Sequence, residues 1–293
     1  MSGKVELAAG DTCDLGAAAD RLLAALRHRY GLKHDDLLER KALGVLRQRR
    51  AEGLDEWLDD LLSRPVDDPA WLGVVDAVTI HETYFFRDPG QLHVLRQTLL
   101  PSLIAERIAA GNRRLCLWSA GCASGEEAYS LAVLVLQALE EAGESHVIWS
   151  IEILGTDISP AMIDIARRAI YGGPGLDAFR QLPEGHDGYF CDLADRPSRR
   201  SVVPAVQELP RFQQHNLMDP EPPVTNADIV LCRNVFIYFD DASQRQAVSV
   251  LASAMGEGGY LLLGVTDRLY GDSGFSREAT GTAVIYRCSG AGI

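Results

Sequence analysis

The sequence lacks the features that mark membrane, secreted and zinc-binding proteins. None of its apolar runs reaches the roughly 20 residues that a membrane-spanning helix needs. No basic region followed by an apolar core stands near residue 1, so we expect no secretion signal. The six cysteines form no Cys-x-x-Cys pair, which argues against a zinc site or a dithiol redox site and fits a reducing cytoplasm.

Motifs of two large enzyme classes are also missing. The sequence has no Walker phosphate-binding pattern, so phosphoryl transfer is not predicted. It has no recognisable arrangement of Ser, His and Asp, or of Cys and His, for nucleophilic catalysis. The 293 residues are 47% apolar and 24% charged, which indicates an ordinary globular protein long enough for two domains.

Positive charge is scarce, except in one segment. The chain has 28 Lys and Arg against 41 Asp and Glu, and a net charge of −13 disfavours non-specific binding of nucleic acid. Between Arg27 and Arg50, however, eight Lys or Arg stand against three Asp or Glu. This basic segment predicts a local docking surface for an acidic partner, with a merely solvated helix face as the alternative.

Apolar residues at helical spacing predict a small all-helical domain over residues 1–78. Residues 1–18 are small and polar and are expected to be frayed. Four helices follow, between about Ala19 and Val78. The second helix, from Asp35 or Asp36 to about Ala51, has a basic face formed by Arg40, Lys41, Arg47, Arg49 and Arg50.

Alternating strands and helices over residues 79–293 predict an α/β domain with an open, mostly parallel Rossmann-like sheet. The predicted strands are one from Leu115, Val147–Thr156, one ending at His215-Asn216-Leu217, Ala227–Cys232, Tyr260–Gly264 and Thr282–Cys288. The predicted helices are Gln91–Ala110, Glu126–Glu141, Ser159 to about Ile170 and Asp241–Met255. Residues of about 171–214, including Arg211–Gln214, predict a small inserted antiparallel β subdomain.

A glycine-containing turn, Gly121-Cys122-Ala123-Ser124-Gly125, joins the first strand to a helix. Two glycines four residues apart allow a sharp turn and a close approach of the backbone to a ligand. The following helix N-terminus offers free N–H groups to a polar ligand. The loop therefore indicates a nucleotide-type site, although a tight connection without a ligand is the alternative.

Polar residues follow the predicted strands, at the edge where open α/β sheets bind ligands. Asp157 ends the second strand and suits the two hydroxyls of a ribose, or else it caps the next helix. Glu127 either faces a ligand or completes a capping box with Ser124. The two acids after the glycine loop would repel a pyrophosphate, so a dinucleotide is disfavoured and S-adenosylmethionine, with its sulfonium and ammonium, fits better.

At this point the sequence resembles the chemotaxis receptor methyltransferases of the CheR family over residues of about 20 to 287. The matching stretches are Thr79-x-x-Glu82-Thr83-x-Phe85-Phe86-Arg87, Leu117 to Ala132 around the glycine loop, Thr156-Asp157-Ile158, Asn216-Leu217 and Ile229 to Asp240. The resemblance implies a cytoplasmic enzyme that transfers a methyl group from S-adenosyl-L-methionine to receptor glutamates. It would leave S-adenosyl-L-homocysteine as product and bind the cytoplasmic helices of chemoreceptors.

The resemblance also implies roles for particular residues. Tyr238 matches a family tyrosine near the transferred methyl, and Arg87 steers the acceptor carboxylate or holds the cofactor. The basic face of the second helix corresponds to the substrate-facing helix of the family. The implied cofactor site comprises His81, Thr83, Arg87, Gly121, Glu127, Asp157, Asn216, Leu217, Arg233 and Asn234.

Two departures from the family pattern keep other functions open. His81 stands where the family usually has Asn, and Thr266-Asp267 stands where it often has Ser-Glu. The alternatives are a methyltransferase for another protein or for a small molecule, and a non-catalytic cofactor-binding signalling module. A dinucleotide dehydrogenase is more distant because of the two acids after the glycine loop.

Overall fold

In a computed structural model of the protein, residues 9–49, 53–173, 177–269, 274–280 and 283–289 are described. Their contacts divide the chain into two units. Residues 1–80 with Tyr238–Gln244 form the first unit, and His81–Ile237 with the remainder forms the second. None of the helices formed by the described residues combines the length and the apolar character that crossing a membrane requires.

Four helices make up most of the first unit: α1 Ala9–Tyr30, α2 Asp36–Arg49, α3 Leu54–Ser63 and α4 Pro69–Val78. The start of α4 is fixed by Asp68, whose side chain accepts a hydrogen bond from Ala70 N at 2.8 Å, and by Pro69, which needs no partner there. Trp71 of α4 is fully buried and its ring centroid lies 5.8 Å from that of Tyr30. The helices thus pack around large apolar side chains.

The second unit contains the ten strands that the described residues form. They are β1 Arg114–Ala120, β2 Ser150–Asp157, β3 Ile170–Gly172, β4 Phe190–Asp192, β5 Arg199–Val202, β6 Pro210–Gln214, β7 Ala227–Cys232, β8 Met255–Leu263, β9 Phe275–Thr280 and β10 Ala283–Cys288. Seven form one sheet in the order β6-β2-β1-β7-β8-β10-β9, and three form a small antiparallel sheet in the order β3-β5-β4. In the large sheet β6, β2, β1, β7 and β8 run parallel. The predicted fold class is confirmed.

Helices alternate with these strands: α5 Pro89–Val94, α6 Leu100–Ala109, α7 Glu126–Glu141, α8 Pro160–Arg168, α9 Pro204–Gln207 and α10 Asp241–Ala254. A π-helical turn, Leu95–Leu99, joins α5 to α6. It precedes Pro101, which has no N–H to continue an α-helical ladder. Helix α7 buries eleven of its sixteen residues, which makes it a central element of the apolar core.

Several predicted boundaries were wrong. Helix α1 already begins at Ala9, within the segment expected to be frayed, and a 3₁₀ turn, His146–Ile148, precedes β2 where a strand was expected. Arg211–Gln214 belongs to edge strand β6 of the large sheet, whereas the third strand of the small sheet is Ile170–Gly172, which starts at the residue where a helix was expected to end. Two more differences concern β8, which starts at Met255 instead of Tyr260, and β9, which was not predicted.

Candidate functional site

The carboxyl ends of four neighbouring parallel strands bring the predicted site residues to one edge of the sheet. In the sheet order these strands are β6, β2, β1 and β7. The residues at or directly beyond their ends are Asn216-Leu217, Asp157, the loop Gly121–Gly125 and Arg233-Asn234. Ligands of open α/β sheets bind at this edge. The sheet topology therefore groups residues that are more than 100 positions apart in the sequence.

The loop Gly121–Gly125 is a tight turn held against β2. The backbone N–H groups of Gly121 and Cys122 both donate to the carbonyl oxygen of Thr156, at 2.8 Å. Gly121 has a φ of +78°, and a Cβ there would collide with the side chain of Val235. Gly125 has a φ of +94°, and a Cβ there would lie 2.7 Å from that of Ala166. Both positions therefore require glycine for the turn itself.

Asp157 connects this loop to the next helix. One carboxylate oxygen accepts the N–H of Ala123 at 2.8 Å and the other accepts the N–H of Ser159 at 2.9 Å. The residue is 7% exposed. The N-cap of α8 is Ser159, which accepts from Met162 N, so capping is not the main role of Asp157. Each carboxylate oxygen has a second lone pair, which suits it to the hydroxyls of a ribose.

Glu127 is not part of a capping box. Its Oε1 accepts a hydrogen bond from Ser119 Oγ at 2.7 Å, and its Oε2 lies 3.2 Å from Nη1 of Arg233. Burial raises the pKa of Glu127, and the positive charge of Arg233 opposes that increase. The side chain of Ser124 instead donates to Glu126. Glu127 is therefore a largely buried carboxylate, with 15% of its side chain exposed, held at the start of α7.

Glu126 is a second buried carboxylate in the same turn. It is 4% exposed, its Oε2 accepts from Ser124 Oγ at 2.7 Å, and burial raises its pKa to about 7. The folded protein therefore holds this proton more tightly than the unfolded chain does. Stability is consequently lost as the pH rises from the ordinary value of 4.5 to about 7.

Replacing Glu126 by glutamine removes the free energy that ionising this buried carboxyl group costs, because the amide stays uncharged. We expect Glu126→Gln to raise the free energy of unfolding at pH 8.5 by up to about 3 kcal/mol, because the pKa of Glu126 rises from 4.5 to about 7 and each pKa unit corresponds to about 1.4 kcal/mol. The gain in the free energy of unfolding should become smaller towards pH 5. Urea unfolding at both pH values measures it, and an equal loss of stability at both would contradict the account.

The segment that precedes α5 brings Arg87 to the second unit. Phe85 N donates to Ala178 O at 2.9 Å, and Phe86 N donates to Ser130 Oγ at 3.0 Å. Arg87 donates to the carbonyl oxygen of Glu82 at 2.8 Å, and its guanidinium lies 5.6 Å from the ring centroid of Tyr84. These contacts hold the Arg87 side chain against Glu82 and Tyr84 of the same segment. His81 and Thr83 of the same segment are partly exposed.

Arg180 is a residue of this region that the sequence did not single out. Its guanidinium lies 3.9 Å from the ring centroid of Tyr84, and it forms an ion pair with Glu82 at 2.6 Å. Arg180 and Arg87 therefore pack against one tyrosine. No local pattern could reveal this, because Arg180 is about 90 positions from the motif that contains Arg87.

The ends of β6 and β7 carry the remaining predicted cofactor residues. Asn216 accepts a hydrogen bond from Met218 N at 3.0 Å, and Leu217 is buried. Asn234 has a φ of +60°, and its buried Oδ1 has no hydrogen-bond partner among the described residues. An acceptor in this position suits a ligand that carries N–H or O–H donors.

The Thr266-Asp267 departure lies beside Asn234. Burial raises the pKa of Asp267, and hydrogen bonds from the backbone of Gly264 and Asn234 oppose the increase. Asp267 thus keeps an acidic group close to the end of β7. The departure keeps a carboxyl group there, although the side chain is shorter than that of glutamate.

Only part of the predicted basic face of α2 is exposed to solvent. Arg40, Arg47 and Arg49 are exposed on α2, and Arg40 and Arg47 are seven positions apart and so share one side of the helix. Lys41 is partly buried and donates to Thr79 O at 2.6 Å, and Arg49 lies 5.8 Å from the ring centroid of Trp57. Arg50 lies outside the described residues.

Tyr238 belongs to the first unit by its contacts. Its hydroxyl donates to Ile80 O at 3.1 Å, and its carbonyl oxygen accepts from Lys33 N at 2.8 Å. Tyr238 is partly exposed. Its role beside the transferred methyl group stays a prediction from the resemblance.

An open parallel sheet with a glycine loop and buried carboxylates at its strand ends has the arrangement of an S-adenosylmethionine-dependent methyltransferase. Acidic groups suit the sulfonium and the ammonium of that cofactor, and Asp157 suits its ribose. Residues 81–285 match the family model described as CheR methyltransferase, SAM binding domain. The chain belongs to the CheR methyltransferase family.

Curated relatives agree with the family match. Chemotaxis protein methyltransferases of Vibrio parahaemolyticus and Pseudomonas aeruginosa are each 36% identical to the chain, over 204 and 200 residues. These alignments cover 68% and 67% of this chain and 69% of each relative. A relative from Borreliella burgdorferi is 27% identical over 258 residues, which cover 86% of this chain and 88% of that protein. The predicted family, the methyltransferase activity and S-adenosylmethionine as cofactor are confirmed.

Proposed function

We propose that this enzyme transfers a methyl group from S-adenosylmethionine to glutamate γ-carboxylates of chemoreceptors and so forms glutamyl methyl esters. The observation that carries the proposal is the placing of two carboxylates around the glycine loop, the buried Asp157 at the end of β2 and the largely buried Glu127 at the start of α7, in a chain that belongs to the CheR family. The named relatives are chemotaxis protein methyltransferases, which supports chemoreceptors as substrates. Because the acceptor glutamates would lie on cytoplasmic receptor helices, the proposal places the enzyme in the cytoplasm.

The donor site in this proposal follows the strand ends. Asp157 accepts hydrogen bonds from the ribose hydroxyls, and the loop at Gly121 approaches the donor through its backbone. Glu127 and Arg87 hold the charged amino acid part of the donor or, in the case of Arg87, the incoming carboxylate. The further members of the proposed site are His81, Thr83, Asn216, Leu217 and Asn234, whereas the side chain of Arg233, also predicted to bind the donor, is enclosed by protein.

The acceptor chemistry needs no general base. Bound S-adenosylmethionine supplies a methyl carbon that is activated by a positively charged sulfur. A glutamate carboxylate has an ordinary pKa of about 4.3 and is already ionised at pH 7. One of its oxygens forms the new bond to the methyl carbon as the carbon–sulfur bond breaks, and S-adenosylhomocysteine leaves as a neutral thioether. Catalysis is then mainly positioning, with Arg87 and Tyr238 proposed to orient the acceptor.

Arg40 and Arg47 of α2 are proposed to attract acidic receptor helices, because both are exposed on the same side of the helix. We expect the double reversal Arg40→Glu and Arg47→Glu to raise the KM for a receptor fragment about tenfold, with a smaller effect at high salt. The Kd for S-adenosylhomocysteine should stay within about twofold. Arg168→Glu, which reverses an exposed charge at the end of α8, is the control and should leave both constants unchanged. Equal losses of receptor and cofactor binding would indicate misfolding instead.

The substrate is tested by incubating the enzyme with labelled S-adenosylmethionine and receptor fragments from the same organism. The proposal predicts label that is released by mild alkali and maps to glutamate residues of the fragment. A product stable to alkali would favour a methyltransferase for a different substrate. Bound cofactor without transfer to any receptor would favour the non-catalytic signalling module.

A further inference from the structure

Arg233 was predicted to contact the cofactor, yet its side chain is enclosed by protein. The guanidinium is 1% exposed. Its Nη1 lies 3.2 Å from Glu127 Oε2, whereas its Nη2 donates to Asp88 Oδ2 at 2.8 Å and to the carbonyl oxygen of Arg87. One buried cation therefore contacts two carboxylates and one backbone carbonyl.

These contacts join three segments of the second unit that are far apart in the sequence. Arg233 follows β7, Glu127 lies in the first turn of α7, and Arg87-Asp88 precedes α5. A planar guanidinium can hold several oxygens in fixed directions, which an ammonium cannot do. The arrangement thus sets the position of the Arg87 backbone relative to the Glu127 carboxylate.

The conformation of Asp88 supports a specific role in this arrangement. Asp88 has a φ of +56°, an unusual value for a residue other than glycine, and its side chain does not cap α5. Instead, the side chain pairs with Arg233, while the backbone carbonyl oxygen of Asp88 accepts the first hydrogen bonds of α5 from Gln91 and Leu92. The same residue therefore has the positive φ, forms the ion pair and accepts the first hydrogen bonds of α5.

We infer that Asp88 and Arg233 are positioning residues for the methyl donor: the ion pair of the buried Arg233 with the half-buried Asp88 holds Arg87 and Glu127 at a fixed separation, and neither side chain binds the donor itself. The inference rests on the proposed donor roles of Glu127 and Arg87. Charged hydrogen bonds of this kind are strong where solvent is excluded, and removal of one partner leaves the other unbalanced. Loss of the ion pair between Asp88 and Arg233 should therefore weaken donor binding.

The test compares Asp88→Asn with a matched ion pair in the same unit. Asp88→Asn keeps the size of the side chain, and because that side chain is 26% exposed, the variant should fold. The control is Asp228→Asn, which disrupts the pair of Asp228 with Arg107 at the opposite end of β7. Arg233→Lys is the second variant, which retains the charge but loses the planar fork.

We expect Asp88→Asn and Arg233→Lys each to raise the Kd for S-adenosylhomocysteine about tenfold or more, measured by calorimetry on folded protein. The KM for S-adenosylmethionine should rise likewise, while the KM for the receptor fragment stays within about twofold. Asp228→Asn should lower the melting temperature but leave both donor constants near the wild-type values.

Three other results would overturn the inference in distinguishable ways. Wild-type donor affinity in both variants would show that the ion pair does not position the donor site. Equal loss of affinity in Asp228→Asn would show that any destabilisation of the unit has this effect. No binding of S-adenosylhomocysteine to the wild-type protein would refute the proposed donor site itself.

Discussion

Replacing Asp157 by alanine is expected to raise the Kd for S-adenosylhomocysteine at least about 100-fold. In the proposed site the carboxylate accepts two ribose hydroxyls, and a hydrogen bond to a charged group contributes about 1.5–3 kcal/mol. Two such bonds correspond to a factor of about 100 or more. The substitution also removes the acceptor that holds the N–H groups of Ala123 and Ser159.

Asp164→Ala is the control for this substitution. Asp164 lies on α8 close to Asp157 in sequence, but its side chain is 62% exposed and pairs with Arg167 on the surface. Its removal should leave the Kd unchanged, since exposed ion pairs contribute little. If Asp157→Ala bound S-adenosylhomocysteine as tightly as Asp164→Ala does, Asp157 would have no part in donor binding.

The second large effect is expected from Gly121→Ala. At a φ of +78° an L-residue is strained by about 1–2 kcal/mol, and the new methyl group would also meet Val235, which follows Asn234. The loop must move, which would break the hydrogen bonds to Thr156 O and displace the backbone that approaches the donor. We expect no detectable binding of S-adenosylhomocysteine by calorimetry, together with a lower melting temperature.

Gly143→Ala is the control for Gly121→Ala, because it introduces backbone strain without a steric clash. Gly143 has a φ of +71°, yet nothing lies within 4 Å of the position that a Cβ would occupy. This variant should therefore lose stability without loss of affinity. The account would be contradicted if Gly121→Ala lost stability but kept wild-type affinity, because the loop would then have no direct part in donor binding.

Elements that depend on local patterns could be predicted closely from the sequence. The apolar periodicity and the preceding Gly125 placed α7 at Glu126–Glu141, and the continuous apolar run placed β7 at Ala227–Cys232. Strands at the edges were harder to assign. Pro210–Gln214 alternates buried and exposed residues, as a strand of a small sheet also would, and Phe275–Thr280 is mostly polar.

Part of the candidate site could also be predicted from local sequence patterns. Asp157 and the loop Gly121–Gly125 follow recognisable strands, so their place at the sheet edge follows from parallel topology alone. The environment of Arg233 could not be foreseen, because Glu127 and Asp88 are more than 100 positions away. Ser119, whose hydroxyl donates to Glu127, lies within β1. The apolar pattern of this strand predicts burial but not that one of its side chains donates a hydrogen bond to the helix that follows.

A crystal structure of the protein with S-adenosylhomocysteine bound would test the central claim most directly. The account predicts ribose hydroxyls within hydrogen-bonding distance of the Asp157 carboxylate, with the amino acid part of the ligand beside Glu127 or Arg87. The side chains of Asp88 and Arg233 should remain paired and out of contact with the ligand. A ligand bound away from the carboxyl ends of β1, β2 and β7 would contradict the account.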